Sequence, residues 1–235
     1  MCGICGCNNS DTQIERERML CSGCGSTWRV RAVAQALLRG LKIPPASIAN
    51  IPQEWSRVGL GISDNPVLSS ALSSRFDYTN SYYHKFPKLD ITHLPIDLHE
   101  QFEFVICSDV LEHVPPPAES GIIGINRLLK AGGVAVVSVP VGALDDTDEY
   151  YPNLLKWMEH DGVVEWSDTS GAHHVDREPE YHGGEGQTLA FRLWNASALV
   201  KSFLNNGFRE YDVIPDLASL GVPYLDYNGL FIFRK

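Results

Sequence analysis

The chain reads as an α/β fold, a largely parallel sheet with helices on both faces and a small metal-binding module at the amino terminus. Three observations carry this. First, an apolar run Phe104–Cys107 ends in a polar turn holding Asp109, Glu112 and His113; Ile122, Ile123, Ile125, Leu128 and Leu129 follow at helical spacing, and Gly132-Gly133 stops the helix before a second apolar run, Val134–Val139. That is a strand–helix–strand unit with acidic and imidazole groups at the carboxyl end of its first strand, the edge where open α/β sheets bind ligands. Second, Val58-Gly-Leu-Gly-Ile62 runs into a glycine turn followed by Ser63-Asp64-Asn65-Pro66, a capping side chain and a proline suited to a first helical turn. Third, the chain closes on a helical run with two strand-like runs after it.

In chain order, five of the six cysteines fall within the first 24 residues. Cys2-x-x-Cys5 and Cys21-x-x-Cys24 have the spacing of a four-thiolate zinc site. The glycines at 3, 6, 23 and 25 give the backbone freedom to turn between paired thiolates. A four-sulfur tetrahedron suits structural zinc, leaves no open position for catalysis, and supplies the stability that so short a segment lacks. A disulfide pair is the competing reading, and nothing else in the chain suggests secretion. Cys7 could replace Cys5 as a ligand or stay a free thiol, and Cys107 reads as a small buried residue.

Val30, Val33, Ala34, Leu37, Leu38 and Leu41 then recur at helical spacing, and Pro44-Pro45 suggests a hinge. Val58–Ile62 is the first strand, Phe76–Thr79 the second, Leu89–Thr92 a short third, Phe104–Cys107 the fourth and Val134–Val139 the fifth. Leu199, Val200, Phe203 and Leu204 share one face of a helix over Ala196–Asn206, ended by Gly207. Tyr211–Pro215 and Gly229–Arg234 are the last strands. The expected division is a zinc module over 1–30, a connecting helix and linker over 31–48, and the main domain over 49–235, with a polar, lid-like insertion at 141–194.

Hydrophobic residues at 44% support a full core, and no apolar run approaches the roughly 20 residues that span a bilayer. With no basic-then-apolar signal pattern, the expected location is the cytoplasm. The formal charge of −10 disfavours nucleic acid as a partner; a basic patch around Arg16, Arg18, Arg29 and Arg31 is interleaved with Glu15 and Glu17.

Asp109-Val-Leu-Glu112-His113-Val, followed by Leu128-Leu-Lys-Ala-Gly-Gly133, resembles the class I S-adenosylmethionine-dependent methyltransferases, whose fourth strand often reads D-x-L-E-H-V and whose next helix closes with L-L-K-P-G-G. Ala131 stands in place of the proline. The closing helix with its G-F and two strands extends the likeness over roughly residues 50–235. The cysteine module running into Cys24-Gly-Ser-x-x-Arg29-x-Arg31 resembles an element fused to some bacterial members. The resemblance implies a Rossmann-like, seven-stranded sheet and S-adenosylmethionine as cofactor.

It also implies site residues. Gly59 and Gly61 match two glycines of the family's E/D-x-G-x-G-x-G turn; Ser63 replaces the third, and Arg57 and Val58 stand where the acid is expected. Asp77 is the expected ribose acid, Asp90-Ile91 the pair for the adenine amine and ring, and Asp109 faces the methionine moiety or the acceptor. Glu112 and His113 could instead cap the next helix and hold the loop. The candidate bases are His182 and His113, with His173 and His174 behind them; His182 opens a segment, His182-Gly-Gly-Glu-Gly186, that is also similar to one seen in these proteins. The expected acceptor is a small-molecule or glycan-type hydroxyl, with Tyr82, Tyr83, Tyr150, Tyr151, Trp157 and Trp166 either lining its pocket or filling core. The rival readings are a nucleic-acid or protein methyltransferase using the zinc module to grip substrate, a non-catalytic scaffold, and a dinucleotide oxidoreductase sharing the Gly-x-Gly turn.

Overall fold

The computed structural model describes residues 1–8, 20–44, 46–143, 145–182, 188–213 and 228–235. The sequence-predicted Gly183–Gly186, Arg16, Arg18, Ile214 and Pro215 lie outside the described residues.

The two knuckles lead into α1 (Trp28–Gly40), capped by Thr27, whose hydroxyl accepts from the Val30 amide. Then come β1 (Glu54–Ile62), α2 (Pro66–Ser73), β2 (Phe76–Ser81), β3 (Phe102–Ser108), α3 (Glu119–Leu128) and β4 (Leu129–Pro140). As the sequence implied, Asn65 caps α2, with Pro66 in its first turn. An insertion follows: β5 (Asp148–Glu149), β6 (Leu154–His160), β7 (Val163–Asp168), β8 (His173–Asp176), β9 (Tyr181–His182), β10 (Thr188–Leu189) and β11 (Arg192–Leu193). Closing the fold are α4 (Ala196–Asn205), β12 (Glu210–Val213) and β13 (Asn228–Arg234).

The main sheet runs β12-β13-β4-β3-β1-β2. β1–β4 are mutually parallel along their pairings, while β13 is antiparallel to β4 and β12 to β13. The parallel strands alternate their buried residues between the two faces. Phe76, Tyr78, Phe104, Ile106, Val134 and Val136 pack under α1 and α2. Leu60, Ile62, Val105, Cys107, Ala135 and Val137 pack under α3 and α4.

Three expectations are corrected. Among the described residues the sheet has six strands, not seven, because Leu89–Thr92 forms no strand. Asp90 Oδ1 accepts from the Thr92 amide at 2.8 Å, and the Asp90 backbone oxygen accepts from the His93 amide at 3.1 Å. These local turn bonds consume groups a ladder would need. Next, α3 ends at Leu128, with Leu129 already extended; Gly132, at φ +77°, bends β4 instead of stopping a helix. Finally, the cysteine module is no hinged appendage. Cys2, Ile4 and Cys21 belong to the same core as Leu37, Phe104 and Val136, and Gly3 and Ile4 carbonyls accept from the Ile48 and Ala49 amides.

The insertion is also more ordered than a polar loop. β6–β8 form an antiparallel sheet, and Tyr151, Val164, Trp166, Leu189 and Phe191 make a small core beneath it. Tyr151 and Trp166 are therefore packing residues, while Tyr83 and Trp157 stay exposed.

Candidate active site

The four cysteines come together as spaced. Cys2 Sγ lies 3.9 Å from Cys24 Sγ and Cys5 Sγ 3.6 Å from Cys21 Sγ, and all four sulfurs lie within 4.8 Å of one another. Zinc–sulfur bonds of ~2.3 Å give a tetrahedral edge of roughly 3.8 Å, so the donor set fits that ion, whereas a disulfide needs ~2.05 Å. Gly6 and Gly25, each directly after a knuckle's second cysteine, take φ of +78° and +72°. Cys7 stands outside the cluster, its thiol directed at Asn8 oxygen and Ser22 Oγ.

The module ends at the sheet's carboxyl edge. Arg29, in the first turn of α1, donates from Nη1 to Ser108 Oγ at 2.9 Å and lies with Nε 3.3 Å from Asp109 Oδ2. Ser138 Oγ donates to Asp109 Oδ1 at 3.1 Å, so the ends of β3 and β4 hold this carboxylate from its other side. Asp109 itself sits at φ +54°, a conformation that costs of order 1 kcal/mol and re-aims its side chain.

Beyond β1, Ser63 supplies with φ +59° the left-handed turn that a glycine would otherwise give. Asp64 next to it is buried; Tyr78 Oη donates to its Oδ2, its amide donates to Asn80 Oδ1 at 2.9 Å, and Oδ1 has no hydrogen-bond partner. Burial pushes the Asp64 carboxyl up to about 7, against the pull of the Tyr78 bond and the Arg29 charge. The displacement from 3.8 has a sign that can be tested. Between pH 4 and 7 the folded chain keeps a proton that the unfolded chain has released, so stability falls as pH rises through this window, by on the order of 4 kcal/mol if the shift is fully expressed. Asp64→Asn is expected to flatten that part of the stability profile and to be the more stable protein at pH 8, read as urea midpoints without cofactor at pH 5 and 8. Parallel profiles for the two proteins would contradict it.

The predicted glycines have a packing role in this structure. A Cβ on Gly59 would fall 2.0 Å from the Phe104 ring, and one on Gly61 would fall 2.0 Å from Tyr78 Oη. The Tyr78 and Phe104 rings stack at 5.9 Å over this face of β1, so both glycines make room for the protein's own core. Asp77 is displaced as well. It is exposed in the first half of β2, paired with Val58, four residues before the strand's end and thus about 13 Å from the carboxyl edge. The ribose role expected of it has no geometric support. Ile91 is 5% exposed, its backbone oxygen pressed against Gly124 of α3, so it belongs to the core and presents no open apolar face. Asp90 remains partly accessible; burial works against its ionisation, but the Thr92 bonds and His93 outweigh this and hold its pKa below the ordinary value.

The two histidines expected to act are neighbours. A 3-10 turn, Leu111–His113, follows β3, and its geometry is fixed from the insertion: Arg192 Nη1 donates to the Leu111 and Val114 oxygens at 2.8 and 2.6 Å, and the Phe191 amide to Glu112 oxygen at 2.8 Å. His113 and His182 rings meet edge-on at 5.2 Å, with Glu112 fully buried between them. The Glu112 carboxylate beside His182 raises that imidazole's pKa, burial opposing it. Glu112 does not cap α3, whose first residue is Glu119. His173 and His174 lie on β8, where His174 Nε2 meets Asp168 Oδ2 at 3.0 Å and stacks on Trp166, apart from this cluster.

The family model described as a methyltransferase domain matches residues 20–137, which is 118 of the 235 residues. The chain belongs to this family. It is an S-adenosylmethionine-dependent methyltransferase of class I. Among solved structures, the methyltransferase is similar to S-adenosylmethionine-bound CalS10, an amino pentose methyltransferase from Micromonospora echinaspora involved in calicheamicin biosynthesis, at 13% identity over 90% of this chain and 93% of that one, with a TM-score of 0.51. It is also similar to the DszA carbon methyltransferase, at 14% identity over 88% of this chain and 53% of that one, with a TM-score of 0.51. Both likenesses concern the fold. Among curated proteins, no sequence matches the methyltransferase significantly.

The side chains at the carboxyl edge fit the methyltransferase's cofactor in chemistry. Arg29, engaged with Ser108 and Asp109, brings to this edge a guanidinium of the type that pairs with a carboxylate, and Asp64 a carboxyl group of the type that pairs with an ammonium. The sequence reading assigns Arg29 to a basic patch and to the element after the knuckle, and Asp64 to the turn after the first strand, with no cofactor role for either. The available signals were the arginine's place just after a metal knuckle and the aspartate's place directly after the β1 turn.

Proposed function

We propose that the methyltransferase methylates a hydroxyl of a small molecule or glycan, with Arg29, Asp64, Asp90 and Asp109 holding the cofactor and the Glu112–His113–His182 cluster handling the acceptor's proton. S-adenosylmethionine supplies a methyl carbon activated by a sulfonium. Displacement at that carbon needs little from the protein beyond alignment of the acceptor and removal of its proton. Arg29 and Asp109 orient the methionine end, Ser63 shapes the turn beside it, and Asp90 takes the adenine amine. Gly59 and Gly61 act indirectly by seating Tyr78 and Phe104 under the turn. The insertion at 141–194 serves as the lid that closes the acceptor side, and Cys2, Cys5, Cys21 and Cys24 hold a structural zinc ion that fixes the start of α1.

The observation that carries the reading is the meeting of the insertion's His182 with Glu112 and His113 of the loop after β3, since a lid that brings an imidazole to the sheet edge suits an acceptor that must lose a proton. The nucleic-acid reading loses support from the arginines: Arg29 engages Asp109, and Arg31 is buried over the Trp28 ring at 4.2 Å.

Methyl-labelled S-adenosylmethionine, incubated with the protein and separate pools of sugars, phenols, transfer RNA and polypeptide, tests the proposal. Label is expected in an acid- and base-stable ether of a sugar or phenol, with turnover reduced at least tenfold in His182→Gln. Label appearing in RNA or polypeptide alone would refute it.

A further inference from the structure

Glu112 is fully buried, and neither carboxylate oxygen has a hydrogen-bond partner among the described residues. A buried, unpaired carboxylate is costly, and native proteins resolve such a charge by pairing it or by coordinating a metal. The two nitrogen atoms nearest it belong to imidazole rings, which ligate metals through such nitrogens. His113 Nε2 lies 3.8 Å from Glu112 Oε1, and His182 Nδ1 lies 3.7 Å from the same oxygen. Both separations are too long for hydrogen bonds. The other nitrogen of His113, Nδ1, donates to the Leu189 oxygen at 2.8 Å, which fixes the ring with Nε2 turned toward Glu112. That arrangement, an imidazole anchored through one nitrogen with the other turned to a shared centre, is the one metal-ligating histidines adopt.

We propose that Glu112, His113 and His182 bind a divalent transition-metal ion, a second metal site distinct from the cysteine cluster. The three ligand atoms lie within 4.8 Å of one another. Bonds of about 2.1 Å require ligand separations of about 3.4 Å in a tetrahedron, so each imidazole nitrogen, at 3.8 and 3.7 Å from Glu112 Oε1, is within a few tenths of an ångström of its place on a shared ion. Two imidazoles and one carboxylate suit zinc, iron, cobalt or manganese, and leave coordination positions for water or for a substrate oxygen. The inference deepens the proposed hydroxyl methylation and rests on it for its purpose: an ion here would lower the pKa of an acceptor oxygen, so that the two imidazoles act as ligands and not as direct bases. It also gives the insertion a reason to be tied to residues 111–114, because the site needs one ligand from it.

The test uses the full chain with its cysteine site loaded with zinc, and cobalt(II) alone as the probe, with no methyl donor or acceptor present. One equivalent of cobalt is expected to bind, giving weak visible ligand-field bands without the intense thiolate charge-transfer absorption of a cysteine site. Glu112→Gln and His182→Gln are each expected to weaken cobalt binding tenfold or more. His182 is partly exposed, so its variant should keep the melting temperature of the parent and separates ligand loss from misfolding. No bound cobalt beyond the zinc site, or equal binding by the parent and both variants, would overturn the proposal. Because neither result involves the methyl donor, failure here would leave the methyltransferase reading untouched.

Discussion

Removing the metal from the amino-terminal knuckles is expected to cost the whole fold far more than a 30-residue appendage would. Cys2 and Cys21 are 1% and 2% exposed and share a core with Trp28, Leu37, Phe104 and Val136. The knuckle carbonyls of Gly3 and Ile4 also carry the Ile48 and Ala49 amides. Structural zinc contributes ~10–16 kcal/mol to small zinc modules, comparable to the entire stability of a typical domain. Chelation, or Cys21→Ser, should therefore lower the melting temperature by ~10 °C or more. The same change frees Arg29, five positions beyond Cys24, so affinity for S-adenosylhomocysteine should fall with the fold still largely present. Scanning calorimetry with metal analysis checks both. A metal-free protein that melts as the loaded one does would show that the cysteines hold nothing the fold depends on.

The second large effect belongs to Arg192. Its side chain is fully buried, with Nε 2.7 Å from Glu149 Oε1, two backbone oxygens on Nη1 and the Trp194 ring 5.4 Å away. Removing one partner of a buried pair typically costs about 3–5 kcal/mol, and the lower end applies here because Glu149 keeps 32% exposure. Arg192→Met is expected to destabilise the protein by that amount in urea titration. Arg192→Lys should recover little of it, since one ammonium cannot reproduce the planar fork. The double change Arg192→Met with Glu149→Gln should be less damaging than the single one. The loop carrying Glu112 and His113 loses its anchor in each case. A loss below about 1 kcal/mol for Arg192→Met would mean the insertion is held by its apolar contacts alone.

The strand–helix–strand unit after Phe102 was legible because its apolar periodicity changes from strand to helix and back, and each element buries the side those residues line. The cysteine cluster was legible because ligand spacing is a local property. The third strand was misread because Leu89-Asp-Ile-Thr92 has strand composition, yet Asp90 forms a turn with Thr92. The place of Asp77 on its strand was not legible because its distance in sequence from Gly59 says nothing of how far β2 continues toward the carboxyl edge; the strand runs on to Ser81. Arg29 and Asp64 stand at legible places, after a knuckle and after the β1 turn, but their partners and those of Glu112 could not be read from the sequence. Their roles arise from contacts between segments as distant as Arg29 and Asp109, or Glu112 and His182, and no periodicity encodes such a meeting.

The central claim, that Arg29 and Asp109 at the carboxyl edge hold the cofactor, is tested most directly by titrating zinc-loaded protein with S-adenosylhomocysteine in a calorimeter, alongside Arg29→Met. One site of micromolar affinity, about −8 kcal/mol, weakened at least tenfold in the variant, is the expected result. Equal affinity in both proteins would place the cofactor away from Arg29 and contradict the site as described.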